Sequence, residues 1–227
     1  MSAELEHWDK YWSDKKGPLH TDDSPEYYAK YAKELALLFS KEKYDKVLEL
    51  GAGSGDFYEL LNFHKADYYK GTDLSQTMLD EFAKQFPQAN LEKASAHDYL
   101  DNKKYDLIYS NGVMQNLDDS MLREHFLNAE KMLANGGEII DASLPWSVHR
   151  KAFMMLKLGP PYSTRSKAGI KSSLLWLANI TKLKRDSMGH WRTPNQISKI
   201  ASEFGLTGEY IGSMYYPYRF HAILKRA

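Results

Sequence analysis

The sequence contains no cysteine, and its 30 basic residues are balanced by 30 acidic ones. The absence of cysteine excludes a disulfide scaffold, a thiolate nucleophile and a cysteine-ligated zinc site. The longest uncharged stretches, at 107–117 and 172–181, are well below the roughly 20 apolar residues that a membrane-spanning helix needs. The first ten residues lack the apolar core of a secretory signal, and no metal motif such as H-E-x-x-H is present. The sequence therefore predicts a cytoplasmic protein without a metal site.

The zero net charge conceals an uneven distribution along the chain. Residues 1–145 sum to −11, residues 146–186 to +8, and the remaining tail to +3. A length of 227 residues fits one generous domain, and an apolar content of 43% is ordinary for a globular protein. The basic stretch is therefore expected to face either the acidic part of the chain or an anionic partner.

From residue 44 onwards, predicted strands and helices alternate. Short apolar runs predict strands at 47–50, 68–72, 89–94, 105–109, 138–143, 210–214 and 219–225. Helical periodicity predicts helices at 54–64, 75–86, 118–134 and 195–204. This alternation is typical of an α/β fold with a doubly wound, mostly parallel, seven-stranded sheet. The last two strands are expected to form an antiparallel C-terminal hairpin.

The same pattern divides the chain into three parts. Residues 1–43 are predicted to form an N-terminal helical cap, and residues 44–144 with 193–227 a Rossmann-like domain. Residues 145–192 are far longer than an ordinary connection, so a helical lid insertion is expected there. Its apolar clusters alternate with Lys and Arg, so an acceptor lid, a surface for an anionic or lipid-linked acceptor, and a dimer contact are open interpretations. Five aromatic residues of the cap either close over a cofactor or pack a helix: Tyr11, Trp12, Tyr27, Tyr28 and Tyr31.

Three glycines, Gly51, Gly53 and Gly55, lie between the first predicted strand and the helix that follows. Such a turn predicts a nucleotide-like ligand, because bare backbone at a helix N-terminus allows close approach. The third glycine comes one residue too early for the dinucleotide pattern G-x-G-x-x-G. Glu49 and Asp56 would repel a diphosphate at short range. A ligand with an ammonium and a sulfonium group is therefore favoured, and NAD is not.

Asp73 stands at the end of the second predicted strand, eighteen residues after Gly55. A carboxylate at this position can accept hydrogen bonds from both ribose hydroxyls of a nucleoside. The alternative is that Asp73 only caps the helix that starts near Ser75. The agreement of strand, glycine loop and acidic strand end favours the ribose.

The segments 47–55 and 71–75 resemble two motifs of the class I S-adenosylmethionine-dependent methyltransferases. Residues 105–113 and 132–137 are similar to the next two motifs of that family. The resemblance covers about residues 44–144, with the closing helix and hairpin in register. It implies S-adenosyl-L-methionine as the cofactor and S-adenosyl-L-homocysteine as its product.

Carried over to this sequence, the resemblance also implies a set of cofactor contacts. Glu49 would orient the backbone or, through water, the methionine ammonium. Asp73 would hold the ribose, and Leu74 would press on the adenine. The family often has an acidic residue near Ser95, which this chain lacks. The other implied contacts are Gly51, Gly53 and Gly55 at the methionine portion, Ser95, Ala96 and His97 at the adenine, and Asn111 at the ammonium.

The resemblance implies a small-molecule methyltransferase, and O-methylation of a sugar-like or other secondary metabolite is the expected reaction. A hydroxyl acceptor benefits from a base, and His149 and His190 at the two ends of the insertion are the candidates. For each, a structural role is the alternative. The insertion is expected to govern the acceptor and not the donor.

Three other functions stay open: N-methylation, nucleic-acid methylation, and a non-catalytic role as a cofactor-binding or membrane-surface partner. The fourth strand ends in Ser110-Asn111-Gly112-Val113, which differs from the Asn/Asp-Pro-Pro-aromatic segment of amino-directed base methyltransferases. Nucleic acid is therefore not favoured as a partner. The expected partner is a small-molecule acceptor, with peripheral membrane contact as an alternative.

Overall fold

The computed structural model describes Lys10, residues 25–154 and residues 189–227. The interpretations of Tyr11, Trp12 and the Tyr27 side chain lie outside the described part of the chain. Residues 155–188, which make up most of the predicted insertion, also lie outside the described part of the chain.

Within the described residues, helices and strands alternate as predicted. The strands are β1 (Lys46–Leu50), β2 (Tyr68–Asp73), β3 (Leu91–Lys93), β4 (Tyr105–Asn111), β5 (Leu133–Pro145), β6 (Leu206–Gly212) and β7 (Arg219–Arg226). The α-helices are α1 (Pro25–Ala36), α2 (Asp56–Leu60), α3 (Gln76–Gln85), α4 (Asp119–Met132), α5 (Arg150–Met154) and α6 (Pro194–Ser202). Three short 3₁₀ turns lie at Phe63–Lys65, Met114–Asn116 and Ser147–His149.

The seven strands form one sheet in the order β3-β2-β1-β4-β5-β7-β6. Strands β1 to β5 run parallel to one another, whereas β7 runs antiparallel to both β5 and β6. The predicted fold, a mostly parallel seven-stranded sheet with an antiparallel C-terminal hairpin, is confirmed. The strand order reverses beside β1, and the carboxyl ends of strands at such a switch point are where open α/β sheets bind ligands.

Two helix boundaries differ from the sequence-based expectation. The predicted helix at 54–64 is interrupted at Asn62, whose φ of 61° is left-handed, so α2 is followed by a 3₁₀ turn. The helix predicted to run through residue 134 ends at Met132, and β5 begins at Leu133. Gly137 lies in β5. A Cβ at this position would lie 2.9 Å from the carbonyl oxygen of Tyr105 on β4, so a larger residue would push the two strands apart. This glycine permits close strand pairing and does not end the helix.

The sheet is covered on both faces, because alternate residues of a strand point to opposite sides. On β1, Leu48 and Leu50 pack into a core formed with α4 and α6, whereas Val47 packs into a second core with α1, α2 and α3. All three side chains are almost fully buried. Each contributes about 1.5–3 kcal/mol by leaving water. The two cores hold rigidly the strand ends at which the site lies.

Helix α1 is attached to the C-terminal hairpin by the buried side chain of Glu34. Its Oε1 accepts a hydrogen bond from the Met214 N–H at 2.8 Å, and its Oε2 accepts one from the Tyr215 N–H at 3.0 Å. His221 Nε2 lies 3.2 Å from Oε1. Because the Nδ1 atom of His221 accepts from the Ser143 N–H, Nε2 carries the proton and donates to Glu34. One carboxylate therefore satisfies three donors.

The stability of the fold is expected to depend on Glu34. In Glu34→Ala each donor left without an acceptor costs about 1–3 kcal/mol, so the free energy of unfolding should fall by about 3 kcal/mol at pH 7. The exposed Glu42→Ala is the matched control and should change it by less than about 0.5 kcal/mol. Urea denaturation followed by circular dichroism measures both. Equal losses in the two variants would contradict the assignment.

The same variant should show a defined pH dependence. Burial works against the charged form of Glu34, but hydrogen bonds from His221, Ser213, Met214 and Tyr215 outweigh it, so the pKa of Glu34 is lowered. A lowered carboxyl pKa stabilises the fold fully above the unfolded pKa of about 4.3, and this contribution fades as the pH falls through the folded value. The stability gap between wild type and Glu34→Ala should therefore shrink in acid.

Candidate active site

A cavity of about 210 Å³ lies at the carboxyl ends of β1, β2 and β4. It is bordered by the glycine loop after β1, by Asp73 at the end of β2, and by the segment after β4. Its lining residues are Gly51, Asp73, Leu74, Ala94, Ser95, Ala96, Gly112, Val113, Gln115, Asn116 and Leu117. Five of the predicted cofactor contacts are among them: Gly51, Asp73, Leu74, Ser95 and Ala96.

The glycine loop directs its N–H groups toward the protein. Gly51 and Ala52 both donate to the carbonyl oxygen of Thr72, each at 2.8 Å. Gly53 donates to Asp73 Oδ2 at 2.9 Å. A phosphate-binding loop directs such N–H groups at the ligand, so this loop suits a ligand without phosphate there. The orientation of these N–H groups is a second reason, besides charge repulsion, to expect a ligand other than NAD.

Two of the loop glycines are required by their neighbours. Gly51 has a φ of +73°, and a Cβ there would overlap the Val113 side chain, which lines the cavity. Gly55 has a φ of +87°, and its Cβ would lie 2.6 Å from the Phe82 ring. Only glycine tolerates both the backbone conformation and the close approach.

Asp73 has a supporting role in the loop and a face toward the cavity. Besides the Gly53 N–H, its carboxylate accepts the Ser75 N–H at 2.8 Å through Oδ1. Ser75 itself is the N-cap of α3, since its hydroxyl accepts from the Met78 N–H. The Asp73 side chain also borders the cavity, where a ribose could contact it. Helix support and ribose binding are therefore compatible, and the ribose contact stays a prediction.

Glu49 lies beneath the glycine loop and is not among the residues that line the cavity. It shares a face of β1 with Val47, and its Oε2 accepts from the Tyr69 hydroxyl at 2.6 Å. Burial, together with the charges of Asp56 and Asp73, raises the pKa of Glu49 to about 8, although the Tyr69 hydrogen bond lowers it. At neutral pH the carboxyl is mostly protonated. The repulsion expected of a Glu49 carboxylate is thus largely absent, and its contact with the methionine ammonium stays a prediction.

The loop 94–98, called the adenine loop here because the resemblance assigns its residues 94–97 to the adenine, forms another wall of the cavity. Ser95 and Ala96 line it, and the Ser95 hydroxyl lies 2.5 Å from Nδ1 of His97. His97 is half-buried and is not among the lining residues. The remaining walls near this loop are apolar, being formed by Leu74, Ala94, Val113 and Leu117. Apolar walls beside a carboxylate suit the adenine and ribose of a nucleoside.

Asn111 ends β4, next to the cavity wall but outside the lining. Its Oδ1 accepts a hydrogen bond from the Tyr31 hydroxyl at 3.1 Å, and the same hydroxyl lies 3.0 Å from Ser143 Oγ. Tyr31 is 3% exposed and packs edge-on against Phe57. Tyr31 is therefore a core residue of α1 that also fixes a strand end at the site.

The two histidines predicted as bases lie in different surroundings. The backbone N–H of His190 donates to the carbonyl oxygen of Gln115 at 2.7 Å, so this exposed residue lies at the rim of the cavity. His149 is half-buried and packs edge-on against Trp146, with ring centroids 5.0 Å apart. Neither histidine is among the residues that line the cavity. The structure brings His190, but not His149, into contact with the lining.

Arg192, a residue that sequence reasoning missed, fastens the end of the insertion to the cavity wall. Its guanidinium donates to the carbonyl oxygens of Met114 at 3.1 Å and Leu117 at 2.6 Å. It also forms a salt bridge with Asp119 at 3.0 Å and is 4% exposed. No local sequence signal points to this role, because the carbonyl partners of Arg192 lie more than 70 residues away in the chain.

Among the described residues, no group of three or more His, Asp or Glu side chains is placed to hold a metal ion. The described helices also include none that is long and apolar enough to cross a membrane.

The geometry agrees with comparisons to known proteins. Residues 48–139 match a family described as a methyltransferase domain. None of the curated proteins matches the chain in sequence. The structure of the N-methyltransferase NodS from Bradyrhizobium japonicum WM9, in complex with S-adenosyl-l-homocysteine, is similar with a TM-score of 0.66 at 17% identity, over 98% of each chain.

Two further structures are similar at the level of the fold. The glycopeptide N-methyltransferase MtfA has a TM-score of 0.59 at 13% identity, over 88% of this chain and 90% of that chain. The mitomycin 7-O-methyltransferase MmcR has a TM-score of 0.60 at 11% identity, over 88% of this chain and 54% of that chain. At sequence identities this low, the structural similarity shows a shared fold and nothing more.

The family match, the strand order and the glycine loop together confirm the resemblance seen in the motifs. The chain has the fold of these methyltransferases, and its residues 48–139 are similar to a methyltransferase domain. The resemblance implies S-adenosylmethionine as the cofactor. The described residues fit this cofactor, because the loop needs no phosphate and the cavity pairs a carboxylate with apolar walls.

Asp73→Asn should weaken cofactor binding. Charge-assisted hydrogen bonds to ribose contribute about 1.5–3 kcal/mol each, so the Kd for S-adenosylhomocysteine should rise at least about tenfold. The exposed Asp80→Asn on α3 is the matched control and should leave the Kd unchanged. Calorimetry measures both, and thermal unfolding shows whether the loop itself is weakened. An unchanged Kd in folded Asp73→Asn would leave Asp73 only its supporting role.

Glu49→Gln should stabilise the protein increasingly as the pH rises. The pKa of Glu49 is raised in the folded state, so the wild type loses stability between the unfolded pKa of about 4.3 and the folded value near 8. Glutamine does not titrate and can still accept from Tyr69. The Tm gain should be a few degrees at pH 8 and smaller at pH 5. The exposed Glu59→Gln is the control, and a gain that does not grow with pH would be inconsistent with a protonated Glu49.

Proposed function

We propose that this chain transfers a methyl group to a small-molecule acceptor, most simply to a hydroxyl oxygen of a sugar-like or other secondary metabolite. The observation that carries the proposal is the composition of the cavity. It holds a carboxylate, Asp73, at the end of β2 and uncharged amides, Gln115 and Asn116, after β4. A nucleoside fits the first part, and an uncharged polar acceptor fits the second.

S-adenosylmethionine, when bound, supplies an activated methyl group on a sulfonium. The protein must then align the acceptor with that methyl group and exclude water. The glycine loop lies close to the end of β4, where Val113 contacts Gly51. A methionine portion over the loop would therefore direct its sulfonium toward the segment 112–117, and the acceptor must approach from there.

The contacts of the insertion support a role in acceptor binding. Its two ends meet at a parallel bridge between Trp146 and Arg192, and Arg192 and His190 bond directly to the segment 114–117. The insertion therefore leaves and rejoins the domain beside the cavity wall. This position supports the expectation that the insertion governs the acceptor and not the donor.

The side chain of Gln115, in the same segment, is also held in a fixed orientation. Arg219 at the start of β7 donates to Gln115 Oε1 at 3.0 Å and also to the carbonyl oxygen of Ser143. Ser143 has a φ of 68°, a strained conformation for a residue with a side chain. In this conformation the Ser143 carbonyl accepts from Arg219, and Arg219 in turn orients the Gln115 amide. We infer that Gln115 recognises a polar group of the acceptor.

N-methylation is the second candidate function. Two of the structures with the same fold are described as N-methyltransferases, whereas one is described as an O-methyltransferase. An amine acceptor needs no base if it arrives unprotonated, and no histidine is among the residues that line the cavity. The two candidates therefore differ in whether His190 matters.

The acceptor can be found by incubating the purified protein with methyl-deuterated S-adenosylmethionine and a metabolite extract. Mass spectrometry should reveal a labelled product, and its fragmentation distinguishes an O-methyl from an N-methyl group. A product that carries the label on nucleic acid would overturn the small-molecule proposal. Binding of S-adenosylhomocysteine with no labelled product in any fraction would favour a non-catalytic role.

His190→Gln tests the base directly, with the acceptor found in this way. General-base catalysis contributes about 10²–10⁴-fold, so turnover should fall at least about tenfold while the Kd for S-adenosylhomocysteine changes less than about twofold. The exposed His64→Gln is the matched control, and His149→Gln tests the other histidine. Unchanged turnover in His190→Gln would remove the base from the proposal and favour an amine acceptor.

A further inference from the structure

We propose that His125 of α4 is a positioning residue for the cofactor, which holds the adenine loop in its binding conformation through a buried ion pair with Asp141 of β5. The inference rests on the proposed function, since it concerns the site that the cofactor occupies. His125 and Asp141 do not line the cavity, whereas Ala96, which His125 contacts, does.

The two ring nitrogens of His125 face two acceptors. Nδ1 lies 3.0 Å from the carbonyl oxygen of Ala96, and Nε2 lies 3.3 Å from Asp141 Oδ2. A carbonyl oxygen and a carboxylate can only accept, so both nitrogens carry hydrogen and the ring is an imidazolium. The other carboxylate oxygen of Asp141 accepts from the Ser110 hydroxyl at 2.7 Å.

The side chains of this hydrogen-bonded group are all buried. His125 and Asp141 are each 1% exposed and Ser110 is 0% exposed. A buried charge is tolerated only where it is paired and hydrogen-bonded. Burial by itself would lower the pKa of His125, but the charge and the hydrogen bond of Asp141 outweigh it, with a further contribution from the Ala96 carbonyl, so this pKa is raised. The two acceptors around the ring and the direction of this pKa shift both favour the charged form of His125, which donates to the Ala96 carbonyl.

A second residue of α4 holds the next carbonyl of the loop. Asn128 lies three residues after His125, on the same helix face, and its Nδ2 lies 3.4 Å from the carbonyl oxygen of His97. Two successive carbonyls of the loop therefore face α4. In a planar trans peptide the N–H points opposite to the C=O, so the N–H groups of His97 and Asp98 point away from α4.

This orientation explains how the loop can bind adenine without the acidic residue that the family often has near Ser95. The ring edge of adenine presents nitrogen acceptors, and backbone N–H groups directed away from α4 are donors for them. A charged donor on the Ala96 carbonyl polarises the peptide and strengthens its N–H as a donor. His125 thus acts on the adenine through the peptide that joins Ala96 to His97.

The test compares His125→Gln with the exposed Lys131→Gln on the same helix. A glutamine has one amide group and cannot bridge Ala96 and Asp141. Two ligands are titrated by calorimetry: S-adenosylhomocysteine and its inosine analogue, which differs only at the base edge. We expect the Kd of His125→Gln for S-adenosylhomocysteine to rise at least about tenfold. Its preference for the adenine ligand should fall to less than about threefold.

The kcat at saturating cofactor should change less than about threefold, because the methyl group and acceptor are not contacted. A purely structural role predicts a lower free energy of unfolding with the Kd of the folded protein and the base preference both unchanged, and that result overturns the proposal. Wild-type protein that binds neither ligand overturns the proposed function instead, and the positioning role with it.

A direct measurement covers the case in which His125→Gln fails to fold. Nitrogen-15 NMR of the wild-type protein with S-adenosylhomocysteine reports the protonation of both ring nitrogens of His125. Two protonated nitrogens at neutral pH are expected. A ring with one bare nitrogen overturns the ion pair and the proposal.

Discussion

The site depends on one constraint, which is that the end of β2 holds the glycine loop that follows β1. The Thr72 carbonyl accepts two N–H groups of the loop, and the adjacent Asp73 carboxylate accepts a third. The pairing of β1 with β2, from Lys46 opposite Tyr68 to Leu50 opposite Thr72, sets where these acceptors lie. The positions of the glycine loop, the Asp73 carboxylate and the cavity wall therefore depend on one another. A one-residue slip of the strand pair would remove all three at once.

Much of the fold could be predicted because its signals are local. The strand at 47–50, the glycines and the acidic end of β2 follow one another closely in the sequence, and each motif needs only its neighbours to be recognised. The cavity lining near Asp73 and Ala96 follows from the same motifs. The end of α4 was less predictable, because the helical pattern continues to residue 134 although the helix ends at Met132 and β5 begins at Leu133.

The remaining parts of the site depend on contacts between residues far apart in the sequence. Glu49 belongs to a strand buried on both faces, and such a strand does not reveal from its sequence which side chains face the cavity. Glu34 and His221 are separated by 187 residues, and Arg192 reaches Met114 across 78. No periodicity connects such pairs. They become visible only when burial shows that an ionisable group has been paired with a specific partner.

The bridge between Trp146 and Arg192 has a consequence for the segment that it closes. Because the bridge brings together the two ends of a segment of more than 40 residues, the sheet is insulated from changes within that segment. Doubling the length of a closed loop costs only about 0.6 kcal/mol in chain entropy. The segment can therefore change in length or sequence at little cost in chain entropy, while the strands that it connects keep their pairing.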